Sequence, residues 1–174
     1  LVGSEMCIRD RYLLYIGKGG SVPMKEMNLP AVTAIVVAAG ASRRMGFDKL
    51  SFRLPDGRTV LQTSCDALAA HPAVTGLVLV CGGNRTECEA IAARCTKPCT
   101  VVQGGATRAD SVRSGLAAAE GELVAIHDAA RPFVSEAVIT AVLTAAAADG
   151  AAAPAVPVKD LSLIHISEPT RPEP

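Results

Sequence analysis

Four short runs of consecutive apolar, largely β-branched residues, each followed by a segment with helical spacing, fix the class of fold open to this chain. Thr33-Ala-Ile-Val-Val-Ala-Ala39 runs into Gly40, and Gly76-Leu-Val-Leu-Val-Cys81 into Gly82-Gly83. Thr100-Val-Val-Gln103 runs into Gly104-Gly105, and Leu123-Val-Ala-Ile-His127 into a polar loop. A strand with one wet face alternates apolar and polar residues, whereas a run apolar throughout is buried on both faces. Between the runs lie four helical segments. Residues 59–71 carry Val60, Leu61, Ser64, Leu68 and His71 at helical spacing and stop at Pro72. A second helix is predicted from Gly83 to about Arg94, a third from Asp110 to Ala119, and a fourth over 136–148. Ser135 is placed to cap the fourth, and Gly150 to end it. Ala151 to Val158 is expected to form a fifth strand. Buried strands joined by helices imply an α/β fold with a doubly wound, mostly parallel sheet. Ligands of such sheets sit beyond the carboxyl ends of the strands, where strand order reverses. The loops after strands one, three and four are therefore where chemistry is expected.

The chain of 174 residues is 49% apolar, enough for one core, but only 3% aromatic with no Trp, so that core must be aliphatic. Seventeen basic and seventeen acidic residues leave no net charge, which argues against a nucleic-acid partner. Any anionic ligand must be held by a local cluster. No run of 18 apolar residues suggests a membrane span, and the first residues lack the basic-then-apolar order of a signal peptide. The six cysteines (7, 65, 81, 88, 95 and 99) form no Cys-x-x-Cys pair and read as reduced, structural thiols. The cytoplasm is the expected compartment.

Composition breaks at both ends. Residues 1–30 contain no Ala, and neither do 161–174, whereas residues 31–160 contain 30. The strings 2–11 and 162–172 look like translated sequencing-adapter sequence, with a natural arm and tail as the alternative. The expectation is a non-native leader over 1–30, an authentic start at Met24 or Met27, a nucleotide-binding domain over 31–160, and a non-native tail over 161–174.

The first loop reads Ala38-Ala-Gly-Ala-Ser-Arg-Arg-Met-Gly-Phe-Asp-Lys49. Small residues let the backbone approach a ligand and offer it amide N–H groups, and Arg43, Arg44 and Lys49 add three positive charges within seven residues. A Walker loop would need Lys directly after its second glycine, and a dinucleotide fingerprint would need Gly at 42 and 45, where Ser and Met stand. A triphosphate loop of another kind fits, as does an ordinary basic surface turn.

This segment resembles the signature of nucleotidyltransferases that activate sugars and alcohols. Together with Gly104-Gly-x-x-Arg-x-x-Ser-Val-x-x-Gly-Leu116 and His127-Asp-Ala-Ala-Arg-Pro132, it is similar to the 2-C-methyl-D-erythritol 4-phosphate cytidylyltransferases of isoprenoid biosynthesis, over about residues 31–160. The resemblance implies a Rossmann-like nucleotidyltransferase fold and transfer of a cytidylyl group from CTP to a sugar-alcohol phosphate, with release of pyrophosphate. It implies that Ala38, Ala39, Gly40 and Ala129 line the nucleotide. It implies likewise that Arg44 and Lys49 act catalytically on the triphosphate, and that Gly104, Gly105 and Ser111 recognise cytosine, largely through backbone groups. On the same resemblance Asp128 is expected to bind Mg²⁺ and Arg131 to serve the acceptor phosphate. A homodimer is also implied. From the residues themselves, Arg108 is expected to form structural ion pairs or hydrogen bonds, Asp110 to favour the start of its helix, His127 to be packed or hydrogen-bonded, and Cys81 to be buried.

Two departures qualify the match. Ala106 stands where relatives often carry a polar or acidic residue. After Lys159-Asp160 the chain reads Leu161-Ser-Leu-Ile-His instead of the family's acceptor-binding Thr and dimerisation arm. The fold is thus expected to be incomplete at the C-terminus and the chain as given to be inactive. Ribitol 5-phosphate as acceptor, or a non-catalytic nucleotide-binding fragment, are the alternatives.

Overall fold

A computed structural model describes residues 29–40 and 48–155. Its elements alternate as expected: β1 Val32–Ala38, α1 Val60–Ala70, β2 Val74–Cys81, α2 Arg85–Ala92, β3 Cys99–Gln103, α3 Arg108–Ala117, β4 Leu123–Asp128 and α4 Glu136–Asp149. The four strands form one sheet in the order β3-β2-β1-β4, and every pairing is parallel. The chain steps outward from β1 to β3, then crosses back to place β4 on the other side of β1. Strand order therefore reverses between β1 and β4.

Period-two alternation along β1 divides the core in two. Val32, Ala34, Val36 and Ala38 face a cluster with Leu61, Cys65 and Leu68 of α1, Cys88 and Ile91 of α2, and Ile139 and Leu143 of α4. Ile35 faces the opposite side with Val78, Val80 and Val102, beneath Ala118 and Ala119 at the end of α3. Among the described residues helices pack on both faces of the sheet, α3 on the Ile35 side and the other three opposite. Helix α3 lies close because it carries Gly115: a Cβ there would stand 2.5 Å from Ile35 Cγ2.

Caps set the helix limits. Thr59 and Ser135 accept from the backbone N–H of Gln62 and Val138, starting α1 and α4. Gly150 ends α4 in the left-handed region at φ +85°. α3 starts at Arg108, two residues before the sequence expectation, because Thr107 and Asp110 form a reciprocal capping box in which Asp110 is the third helical residue. The expected fifth strand is not borne out over its described part: residues 151–155 form no strand. Four of those five residues are alanine and the fifth is Pro154, which offers no N–H to a ladder.

His71 ties two helices together. It is 2% exposed; its Nδ1 accepts from Ala73 N at 3.3 Å, and Nε2 lies 3.0 Å from Thr140 Oγ1 on α4. Accepting at Nδ1 fixes the proton of the neutral ring on Nε2. Burial, helped by Lys97 and opposed by Glu136, holds the imidazole below its ordinary value of 6.5. The folded state thus prefers neutral His71. Its contribution is complete above pH 6.5 and is lost as pH falls through the lower folded value. Thermal melts should show the melting temperature falling from pH 7.5 to 5.5, with a shallower fall in His71→Asn.

Candidate active site at the carboxyl edge of the sheet

The carboxyl ends of the strands lie side by side, with Asp128 paired to Val37, Ala38 to Cys81, and Cys81 to Gln103. The loops that leave them touch. Gly104 N donates to Cys81 O at 2.8 Å. A Cβ on Gly104 would collide with the Ala39 side chain and come within 2.9 Å of Ser111 Oγ. A Cβ on Gly82 would stand 2.8 Å from Ala39 O. Ala39 is therefore clasped between Gly82 and Gly104, two positions that admit no side chain, leaving backbone groups there to face a ligand.

The loop after β3 is held from below. Ser111, 2% exposed, donates from Oγ to Thr107 O at 3.0 Å and accepts from Gly105 N at 3.2 Å. Its hydroxyl is thus engaged in shaping the Gly104-Gly105 loop. Ala38 and Ala129, at 2% and 1% exposure, are buried and offer no side chain to a ligand. Gly40 is exposed and closes the described part of the first loop. Arg44 lies outside the described residues.

Lys49 is half-buried in the turn leading to α1. That turn is fixed at several points: Leu50 N donates to Asp48 Oδ1 at 3.0 Å, and Leu61 N to Leu50 O at 3.1 Å. Ser51 Oγ lies within reach of both Asp48 Oδ2 (3.0 Å) and Glu87 Oε2 (2.8 Å), its one proton serving either. Leu50, 6% exposed, anchors the turn in the core.

Across the switch point, Asp128 ends β4. Its Oδ1 accepts from Arg108 Nη2 at 2.8 Å, and its Oδ2 lies 3.5 Å from Arg131 Nε. Arg108 foremost holds the carboxyl below the usual carboxylate range, so it is ionised at neutral pH. Arg108 makes the ion pair expected of it, but the pair falls on the candidate metal ligand. The peptide after Asp128 is pinned twice: Ala129 N donates to Val37 O at 3.2 Å, and the buried Ser64 Oγ donates to Ala129 O at 2.7 Å. His127 Nε2 lies 3.0 Å from Arg131 O, and burial keeps the ring below its ordinary pKa. It is the hydrogen-bonded imidazole expected, and Cys81 is fully buried.

Sequence reasoning missed Ser64 and Gly82. A serine within a helix gives no sign that it reaches a strand-end carbonyl, whereas the Gly82-Gly83 pair did signal that the backbone comes close to something. Among the described residues no group of three or more His, Cys, Asp or Glu is placed to hold a metal, and no helix is long and apolar enough to cross a membrane.

Comparison with known proteins agrees with this architecture. The family model described as 2-C-methyl-D-erythritol 4-phosphate cytidylyltransferase matches residues 32–168. A bifunctional enzyme IspD/IspF of Anaeromyxobacter dehalogenans is 48% identical over 130 residues, covering 74% of this chain and 33% of that protein. A 2-C-methyl-D-erythritol 4-phosphate cytidylyltransferase of Desulforamulus reducens is 42% identical over 137 residues, covering 74% of this chain and 58% of that one. The crystal structure of 4-diphosphocytidyl-2C-methyl-D-erythritol synthase from Anaerococcus prevotii superposes with a TM-score of 0.56 at 27% identity, covering 66% of this chain and 50% of that one. The chain thus spans about a third of the bifunctional relative and just over half of the single-function one. With a parallel sheet wound on both faces, glycine loops meeting at its carboxyl edge and a family match over most of its length, the chain belongs to the 2-C-methyl-D-erythritol 4-phosphate cytidylyltransferase family.

Proposed function

We propose that this chain is the nucleotide-binding part of an enzyme that transfers a cytidylyl group from CTP to 2-C-methyl-D-erythritol 4-phosphate and releases pyrophosphate. The observation that carries the reading is the strand-order switch, where Gly82 and Gly104 clasp Ala39 on one side and Asp128 stands on the other. Backbone groups of Ala39, Gly40, Gly104 and Gly105 hold the nucleoside, with the buried Ala38 and Ala129 backing them and Ser111 shaping the glycine loop. Arg44 and Lys49 meet the triphosphate, and Arg131 meets the acceptor phosphate. Attack by the acceptor phosphate on the α-phosphorus needs positioning and charge stabilisation and no side-chain nucleophile.

Asp128 fits Mg²⁺. It is a hard oxygen donor, ionised at neutral pH, and Mg²⁺ takes few protein ligands beside phosphates and water. When bound there, the ion would neutralise charge on the triphosphate. We further propose a cytoplasmic homodimer. The five described cysteines are all free, as a reducing compartment allows, and Leu116, Ile126 and Phe133 leave apolar surface for a partner to bury.

The test has two arms. Calorimetry on residues 1–174 should show binding of CTP in preference to ATP. Pyrophosphate release by a full-length enzyme that carries this sequence should require 2-C-methyl-D-erythritol 4-phosphate; release with ribitol 5-phosphate alone would reassign the acceptor, and CTP binding without release would leave a binding module. Within that assay, Lys49→Ala should lower kcat roughly 100-fold or more while changing the KM for CTP only a few-fold, because its ammonium meets charge that grows during transfer. A change confined to KM would refute that role.

A further inference from the structure

Asp128 is not presented bare. Each of its carboxylate oxygens faces a cation of the chain itself: Arg108 Nη2 at 2.8 Å from Oδ1, and Arg131 Nε at 3.5 Å from Oδ2. The shorter contact comes from the first residue of α3, which the Thr107–Asp110 capping box fixes in place. A cation at that position runs against the helix dipole, whose amino end is positive. Arg108 therefore stands where its own helix repels it and where Asp128 is the anion that holds it. The pair is also free to open, since the two side chains are 64% and 40% exposed.

A divalent ion bound to Asp128 needs an oxygen that Arg108 holds, and two cations within a few ångströms of each other repel strongly. We propose that Arg108 is the resident cation of the metal site: it occupies Asp128 while no nucleotide is bound, keeps free divalent ions off that carboxylate, and leaves it when a metal arrives together with phosphates. The phosphates supply the replacement anion for the guanidinium at the amino end of α3, where the dipole and the backbone N–H groups favour negative charge. The site thereby takes its metal as a nucleotide complex in preference to the free ion. This rests on Asp128 being the metal ligand, and Arg108 acts as a positioning residue through it.

The test is Mn²⁺ binding to the full chain of 174 residues, followed by electron paramagnetic resonance at low salt with no nucleotide present. Arg108→Ala should bind Mn²⁺ roughly threefold to tenfold tighter than the unaltered chain, as expected for release of an exposed ion pair. Arg108→Gln should do the same, which covers any disturbance of α3 by the shorter side chain. Arg113→Ala removes the same charge one turn further along α3, where it pairs with Asp110, and should leave Mn²⁺ affinity unchanged. Asp128→Asn should abolish the binding. Equal or weaker Mn²⁺ binding in both Arg108 variants, with binding still lost in Asp128→Asn, would overturn the proposal and leave the ligand assignment standing. Equal tightening in Arg113→Ala would trace the effect to net charge and also overturn it. Undiminished binding in Asp128→Asn would remove the ligand assignment, and the proposal with it.

Discussion

Asp128→Asn should lower CTP-dependent pyrophosphate release, measured in a full-length enzyme that carries this sequence, at least about 100-fold, the size typical of losing a charge-stabilising group, while leaving the fold in place. The amide matches the carboxylate in shape but carries no charge, so it cannot hold a divalent ion against water. The structural cost is small. The substitution breaks ion pairs to Arg108 and Arg131, whose side chains are 64% and 69% exposed, and pairs of that kind are worth about 0–1 kcal/mol each. The backbone that places residue 128 is held by bonds the substitution leaves alone, from Ala129 N to Val37 O and from Ser64 Oγ to Ala129 O. Melting temperature and turnover should therefore part company. Turnover within tenfold of the unaltered enzyme would dismiss Asp128 as the ligand. A matching collapse of the melting transition would instead make it a structural residue. The acid side of the pH profile does not belong to this group. Arg108 keeps its carboxyl below the usual carboxylate range, so Asp128 stays ionised throughout the range in which histidines titrate.

The sheet was legible because parallel strands buried on both faces leave a mark that needs no partner to be seen: Ile35-Val-Val37 and Leu77-Val-Leu-Val80 are apolar in both directions of the pleat. Helix limits were legible where a cap acts locally, as at Ser135 and Gly150. The start of α3 was read two residues late for the same reason. Asp110 looks like a first residue, but it is the far half of a box opened by Thr107. What stayed hidden depends on bonds between residues distant in sequence. Ser64 and Ala129 are 65 positions apart, and only the crossing of α1 beneath the end of β4 joins them. Arg108 was read correctly as an ion-pairing residue. Its partner was not legible, since the 20 positions to Asp128 are closed by the parallel return of β4 along β1. Ala38 and Ala129 came from the family pattern, and both are buried, which leaves their side chains no contact with a ligand.

Gly104→Ala should be a damaging single-methyl change at the site. The added Cβ would collide with the Ala39 side chain, stand 2.9 Å from Ser111 Oγ and lie 3.1 Å from Cys81 O. These neighbours belong to three different segments, and none is the loose end of a long side chain. Cys81 O is the carbonyl that accepts from Gly104 N at 2.8 Å, so the loop cannot back away without giving up that bond. Nor can it tilt towards α3, because Ser111 Oγ already accepts from Gly105 N and donates to Thr107 O. Overpacking of this kind costs roughly 1–3 kcal/mol, which for a chain of this size lowers the melting temperature by roughly 2–12 °C. The displaced amides of 104 and 105 should weaken CTP binding more than tenfold, measured by calorimetry below the new melting temperature. Gly83→Ala is the matched control. It lies in the glycine pair after β2, a Cβ there would meet nothing within 4 Å, and its φ is not positive. That variant should melt and bind CTP like the unaltered chain, because an alanine costs nothing where the backbone already suits it. If Gly104→Ala melts and binds like Gly83→Ala, the close contact with Ala39 does not shape the nucleotide cradle.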